Sequence, residues 1–199
     1  MSEVQNQDLN AWGAPRQQTA FRQLMRAFSF PGRIQTLTEG EALTQTLATL
    51  VDREATLADP QDLLDALTLK RLQTRMTAPE LAQFILADGS VPPLFEPCLG
   101  TLESPEGGAT ILLWVTALGE GAQWQLTGPG IATTQALAIS GLDPAWLARR
   151  QDWNEGFPLG VDLILVDTNS VVALPRTTLA TLATDATPMA AQGETTWAM

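Results

Sequence analysis

The sequence contains no histidine and no tyrosine, and only one lysine and one cysteine, Lys70 and Cys98. Without histidine, nucleophilic sites of the Ser-His-Asp or Cys-His type lack their base, and zinc sites built from cysteine and histidine lack their ligands. A single cysteine forms no intrachain disulfide, as is typical of proteins in a reducing cytoplasm. The residue types therefore predict no metal site and a cytoplasmic location.

Positive charge is also scarce, because 11 Lys and Arg stand against 22 Asp and Glu, which gives a net charge of −11 over 199 residues. Nucleic-acid binding relies on basic side chains that neutralise phosphates, so this charge disfavours a nucleic-acid partner. No run approaches the roughly 18 apolar residues of a membrane span, and the N-terminus has no signal-peptide pattern. With 45% hydrophobic residues, the chain is expected to fold as a globular protein with no membrane partner.

Helical patterns dominate the first half of the chain, and extended runs dominate the second half. Apolar spacing and capping pairs predict helices at 16–30, at 41–52, after Asp59-Pro60, and from Asp143-Pro144 to about 153. Extended runs predict strands at 109–118, 124–127, 161–167 and 171–175, with a hairpin turn at 119–121. Because one helix lies among the later strands, this order predicts a single α/β domain with a mixed sheet.

Two segments are less regular. Residues 84–87 are either part of a short helix, capped by Thr77 with Glu80 three positions on, or a strand that runs into the turn at 88–89. Residues 179–199 are rich in alanine and threonine without a clear period, which predicts a frayed C-terminal tail.

The first helix combines an apolar stripe with a cluster of arginines. The stripe recurs at the spacing of one helix face and consists of Phe21, Leu24, Met25 and Phe28. Arginines lie off the stripe or just after the helix, and the candidates among them are Arg22, Arg26 and Arg33. Two interpretations remain open: a solvated helix face, which is favoured, or a patch that binds an anion or a partner.

A glycine-rich segment, Thr127-Gly128-Pro129-Gly130, offers a second candidate site. Backbone amides freed by Gly128 and Gly130 cradle phosphates in some proteins. This segment lacks the lysine of a P-loop and stands between two predicted strands, not before a helix. A tight turn that needs glycine dihedrals is therefore the favoured interpretation.

The third candidate site follows the last predicted strand. Arg176 can form two parallel hydrogen bonds to a phosphate or phosphonate, with Thr177 and Thr178 adding donors. A strand terminus with a surface arginine explains the same residues equally well. Asp162 lies in an otherwise apolar run, where an unpaired carboxylate is costly, so it either pairs with an arginine or faces outward from the strand start, which is favoured.

Four blocks of sequence together resemble a known family. They are Phe21–Gly32, Leu126–Ile131, Phe157–Leu165 and Leu174–Thr178. In order and spacing they resemble the H subunit of the bacterial carbon–phosphorus lyase core complex, the PhnH family. The resemblance divides the chain into an N-terminal extension (1–14), a PhnH-like α/β domain (15–178) and the tail (179–199).

The resemblance implies a role in phosphonate catabolism. It implies an α/β/α sandwich, like a shortened fold-type-I pyridoxal-phosphate transferase that has lost its cofactor. The H subunit is expected to act with the G, I and L subunits when an alkylphosphonate displaces adenine from ATP and gives a ribose 5-triphosphate. It is expected to be inactive alone, with no catalytic residue assigned.

The same resemblance implies a homodimer in isolation and docking to the G, I and J subunits, with phosphonate or nucleotide as a further ligand. No cofactor is expected. Two alternatives of other classes remain: a stand-alone small-molecule transferase with an arginine-lined anion pocket, and a purely structural scaffold subunit.

Overall fold

The computed structural model describes residues 12–37 and 42–183. In these ranges the α-helices are α1 (Ala14–Ser29), α2 (Ala42–Leu50), α3 (Ala66–Leu72) and α4 (Ala145–Trp153). The strands are β1 (Gln35–Thr36), β2 (Thr56–Ala58), β3 (Arg75–Met76), β4 (Phe84–Asp88), β5 (Thr110–Trp114), β6 (Ala117–Thr127), β7 (Gln135–Ser140), β8 (Asp162–Val166), β9 (Ser170–Leu174) and β10 (Leu179–Leu182). Short 3-10 helices cover Pro79–Leu81 and Pro105–Gly107.

Seven of these strands form a mixed sheet in the order β1-β9-β8-β5-β4-β2-β3. The strands from β8 to β3 run parallel, and β9 and β1 join one edge in antiparallel pairs. Successive residues of β5, such as Ile111 and Leu112, are both fully buried. A continuous apolar run is typical of parallel strands that are covered on both faces, so the predicted mixed sheet is confirmed.

Helices α1, α2 and α3 cover one face of this sheet. Leu86, Leu112 and Ile164 are register partners across β4, β5 and β8, so their side chains share that face. Leu24 of α1 packs in the cluster of Ile164, and Leu47 of α2 packs in the cluster of Leu86 and Leu112.

A second, three-stranded antiparallel sheet in the order β10-β6-β7 covers the opposite face together with α4. Trp124 of β6 and Trp146 of α4 are buried there against Ile111 and Leu163. The α/β class is therefore confirmed, but the expected α/β/α sandwich is wrong, because strands form most of the second outer layer. The likeness to pyridoxal-phosphate transferases has no support in this architecture.

The extended run at 109–118 is divided between two sheets. β5 ends at Trp114, and β6 begins at Ala117 in the small sheet. The predicted hairpin turn at 119–121 is wrong, because these residues form a bulge inside β6, where the pairing with β7 shifts register between Leu118 and Ala122. Gly119 and Gly121 both have a φ of 94°, which suits a bulge as well as a turn.

Two predicted helix starts are wrong. Asp59 accepts hydrogen bonds from the amides of Leu63 and Leu64, but the helix itself begins only at Ala66, after the N-cap Asp65. The predicted capping pair of Thr77 and Glu80 does not cap a helix, since the 3-10 turn that follows has Ala78 at its N-cap and no side-chain cap. For 84–87 the strand alternative is confirmed as β4.

The fold continues into the segment that the sequence assigns to a tail. β10 pairs antiparallel with β6, from Leu179 opposite Thr127 to Leu182 opposite Trp124. The predicted α/β domain therefore extends beyond 178, and the rest of the expected frayed tail lies outside the described residues, as do residues 1–11. No helix of the described ranges is long and apolar enough to cross a membrane.

Candidate functional site

The four sequence blocks that carry the resemblance meet at one corner of the structure. We call this corner the motif junction and define it as residues 29–32, 126–131, 160–162 and 174–178. The first segment packs against the second, the second against the fourth, and the fourth pairs with the third. α1 ends there, β6 turns towards β7, β8 begins, and β9 leads into β10.

An ion pair between Asp162 and Arg176 joins two of these segments. The Nη2 of Arg176 donates to Asp162 Oδ2 at 2.7 Å, and the backbone amide of Arg176 donates to Oδ1 at 2.7 Å. The two side chains are only 20% and 14% exposed. The predicted arginine partner of Asp162 is therefore confirmed, and the favoured outward-facing carboxylate is wrong.

The remaining donors of Arg176 bind backbone carbonyls. Its Nη1 donates to Pro105 O at 2.8 Å and to Pro158 O at 3.2 Å, while Nε makes a long contact of 3.5 Å with Asp162 Oδ1. Four of the five N–H donors of this guanidinium thus have partners in three other parts of the chain. Arg176 acts as a brace between loops, with little left to bind an anion.

A second arginine, Arg150 of α4, supports the same corner from inside. It is 4% exposed, and it donates to Thr178 O at 2.8 Å and to Pro175 O at 2.7 Å. Burial lowers the pKa of Arg150 to about 10, against the opposite effect of the negative charge on Asp162. Because this pKa is still well above neutral, a buried cation holds the carbonyls of the 175–178 turn.

The glycines of the junction allow backbones to approach closely. Gly128 has a φ of 134°, and a Cβ there would stand 2.7 Å from Thr177 O. A Cβ on Gly130 would stand 2.8 Å from Ser29 O, and one on Gly32 would overlap Leu126. The favoured tight turn at 127–130 is confirmed, because the amide of Ile131 donates to Gly128 O at 3.1 Å and both glycines have a positive φ. The phosphate cradle stays a prediction, but its glycines already pack against other parts of the chain.

Thr177 and Thr178, the last two residues of the 175–178 turn, lie in different environments. Thr178 is fully buried, and its amide donates to Pro175 O at 2.8 Å. The Oγ1 of Thr178 has no hydrogen-bond partner within the described residues. The carbonyl of Thr177 lies under Gly128. The structure thus brings together Thr127, Gly128, Gly130, Asp162, Arg176, Thr177 and Thr178.

Arg22, Arg26 and Arg33 take no part in the pairing at the junction. All three are exposed, the first two on α1 and the third just after it. The guanidinium of Arg33 lies over the ring of Phe30, 5.1 Å from the ring centre. In the described ranges none of these three arginines forms an ion pair. Both interpretations of this exposed surface, a solvated helix face and a patch for an anion or a partner, therefore stay predictions.

An open groove of about 600 Å³ lies beside the small sheet. It is lined by the 32–34 segment, by Gly119 and Gln123 of β6, and by the β7 residues 135–138. Arg33 is the single charged residue of this lining. Among the described residues, no group of three or more Asp, Glu or Cys side chains is placed to hold a metal ion.

Comparison with protein families decides the classification. The model of the family described as bacterial phosphonate metabolism protein (PhnH) matches residues 10–181. The chain belongs to the PhnH family. The match contains all four blocks from which the resemblance is drawn, so that resemblance is confirmed.

Two relatives of this PhnH-family chain differ in their distance from it. HtxG of Stutzerimonas stutzeri, named as a candidate C-P lyase subunit protein, is 53% identical over 169 residues, which are 84% of this chain and 87% of the relative. The PhnH subunit of alpha-D-ribose 1-methylphosphonate 5-triphosphate synthase from Rhizobium meliloti (strain 1021) is 30% identical over 177 residues, 81% of this chain and 88% of that relative.

Sequence reasoning about this PhnH-family chain does not single out Arg150, although the structure makes it a centre of the junction. A signal was present, because Arg150 stands four residues after Trp146 and three before Trp153, both of which are buried. Such spacing places all three on the same side of α4. An arginine among buried tryptophans needs acceptors, and the carbonyls of Pro175 and Thr178 supply them.

Proposed function

We propose that the chain is an accessory subunit of a carbon–phosphorus lyase system. The observation that carries this proposal is the PhnH match over residues 10–181. The names of the two relatives, a C-P lyase subunit and a subunit of the triphosphate synthase, support it further. The guanidinium of Arg176 already donates to Asp162, Pro105 and Pro158. This supports a subunit that does not use Arg176 to bind an anion.

We further propose that the chain acts with the G, I and L subunits in the cytoplasm. Their joint product would be the alkylphosphonate ribose 5-triphosphate, formed as the phosphonate replaces adenine on the ribose of ATP. The chain would use no cofactor and would have no activity alone. Packing within the motif junction supports this proposal, because Arg176 and Arg150 bind backbone carbonyls and Asp162 there and so hold loops of the chain together.

The expected result of the deciding assay is release of adenine from ATP and methylphosphonate only when this chain is combined with the G, I and L subunits of the same system. Deletion of its gene should abolish growth on methylphosphonate, and the wild-type gene on a plasmid should restore it. Chromatographic measurement of free adenine checks the first outcome. Adenine release by the isolated chain would instead establish the stand-alone transferase, and normal growth of the deletion strain would contradict the proposal.

The isolated chain is expected to sediment as a homodimer of twice 21.4 kDa at tens of micromolar. The strand β5 cannot contribute to such an interface, because both its faces are covered. Outward residues of β6 that do not line the groove, such as Gln125, are exposed and remain available. Analytical ultracentrifugation checks this prediction, and a single 21.4 kDa species at that concentration would contradict it.

A further inference from the structure

One face of α1 presents apolar and basic residues in parallel rows. The apolar face predicted from the sequence includes Phe21 and Met25, but these two side chains are 50% and 52% exposed. The buried face of α1 consists of Ala20, Leu24 and Ala27. The predicted stripe is therefore wrong in part, because small alanines let the helix lie close to the sheet and turn the larger side chains outward.

Beside the exposed row of Phe21 and Met25 runs a second row, Arg22 and Arg26, also one helical turn apart. Further along, Phe30 is 45% exposed and lies under the guanidinium of Arg33. We call these residues the α1 outer face and define it as Phe21, Arg22, Met25, Arg26, Phe30 and Arg33.

The charge of this part of the chain is opposite to the charge of the whole. Residues 12–37 contain four arginines and neither aspartate nor glutamate, whereas the whole chain has a net charge of −11. Two like charges one turn apart, as in Arg22 and Arg26, repel each other and destabilise the helix slightly. A negatively charged surface opposite them would offset this repulsion. The basic face is thus electrostatically complementary to an acidic partner.

We infer that the α1 outer face docks onto an acidic surface of a different subunit of the carbon–phosphorus lyase system. The inference rests on the proposed function and adds which face of this chain is used. Phenylalanine, methionine and arginine are enriched at protein interfaces, where aromatic side chains fill pockets and arginines pair at the rim. Binding of a small anion requires the arginines but gives no reason to expose the apolar row.

A second copy of this chain does not fit the same face. In a two-fold symmetric dimer the same patch lies on both sides of the interface, so the arginines of this face would meet a second face that holds three arginines and no acidic residue. That contact repels, and two exposed apolar rows do not remove the repulsion. The face therefore selects a partner of opposite charge, and a homodimer has to use another surface.

The groove beside the small sheet extends the docking surface. Arg33 ends the α1 outer face and also lines the groove of about 600 Å³, together with Ile34, which is 40% exposed. The helix face and the groove are thus continuous through the 33–34 segment. A partner that covers the helix has room to place a loop in the groove.

The test is co-purification of the tagged full-length chain with the co-expressed G, I and J subunits, followed by measurement of the Kd of the recovered contact. We expect Arg22→Glu/Arg26→Glu to weaken this binding at least tenfold, and rising NaCl to weaken wild-type binding. The matched control is Lys70→Glu/Arg75→Glu, which makes the same change of charge at two exposed positions elsewhere. It should bind within about twofold of the wild type, since peripheral charge far from the contact has little effect.

Phe21→Ser/Met25→Ser tests the apolar row separately and should weaken binding without changing its dependence on NaCl. Thermal melting confirms that each variant is folded, and Arg22→Gln/Arg26→Gln replaces the reversal variant if that one is not. Wild-type-like binding of the arginine variants overturns the inference. So does conversion of a wild-type homodimer to monomer by Arg22→Glu/Arg26→Glu, or loss of ATP binding with the complex intact. Failure of the wild type to bind any subunit overturns the proposed function itself.

Discussion

Replacement of Arg176 by alanine is expected to lower the free energy of unfolding by about 3 kcal/mol, because it leaves the largely buried carboxylate of Asp162 without its cation. The carbonyls of Pro105 and Pro158 lose their donor in the same step. Urea denaturation of the isolated chain measures the effect. The double variant with Asp162→Asn should lose less than the sum of the two single variants, since the two side chains interact directly.

The matched control for this experiment is Arg22→Ala, because Arg22 is exposed and forms no ion pair in the described ranges. Surface changes of this kind stay within about 0.5 kcal/mol. If Arg176→Ala were as stable as Arg22→Ala, the contacts of Arg176 with the loops would contribute nothing to the free energy of unfolding. Loss of methylphosphonate growth without loss of stability would then assign Arg176 to ligand or partner binding.

Replacement of Gly128 by alanine is expected to cost about 3 kcal/mol for two reasons that add. Its φ of 134° is strained for any residue with a side chain. The added Cβ would also stand 2.7 Å from the carbonyl oxygen of Thr177, so the 127–130 turn and the 175–178 turn would have to separate. Equilibrium unfolding measures the loss.

Gly156→Ala is the control, because it adds the same methyl group at a position where no heavy atom beyond the neighbouring residues lies within 4 Å. It should leave the free energy of unfolding unchanged or raise it slightly, since alanine restricts the unfolded chain. Equal stability of the two variants would show that the junction accommodates a side chain at Gly128. The close approach of the two turns would then have no energetic basis.

Local sequence patterns predict where α1 and α4 lie, but they do not predict which face of α1 is buried. The helical period predicts α1 and the Asp143-Pro144 start signal predicts α4, because both kinds of pattern depend only on the local sequence. For α1, however, two overlapping faces were available, one with phenylalanine and methionine and one with alanines. The sheet below accepted the face of Ala20, Leu24 and Ala27, and only packing against that sheet could decide this.

Pairing with an arginine is one of the two alternatives that the sequence leaves for Asp162, but the sequence does not show which arginine is the partner. A carboxylate in an apolar run calls for a cation, and arginines make up nearly all of the basic residues of this chain. Which arginine it is depends on the turn after β9, which returns the backbone of Arg176 to the start of β8. The backbone carbonyls of the same turn accept hydrogen bonds from Arg150. These partners lie 24 to 28 positions from Arg150 in the sequence, so a local pattern does not predict the contact.

The sequence by itself determined the α/β class, the central strands of the mixed sheet and the four blocks that mark the PhnH family, because these follow from local periodicity and from residue order. The tertiary structure decided that the apolar run at 109–118 breaks between two sheets, that a small sheet replaces an outer helical layer, and that the blocks meet at one junction. The physical reason is that each of these features depends on contacts between distant segments. The same dependence applies to the α1 outer face, whose basic and apolar rows stay exposed only because the alanine face packs better against the sheet.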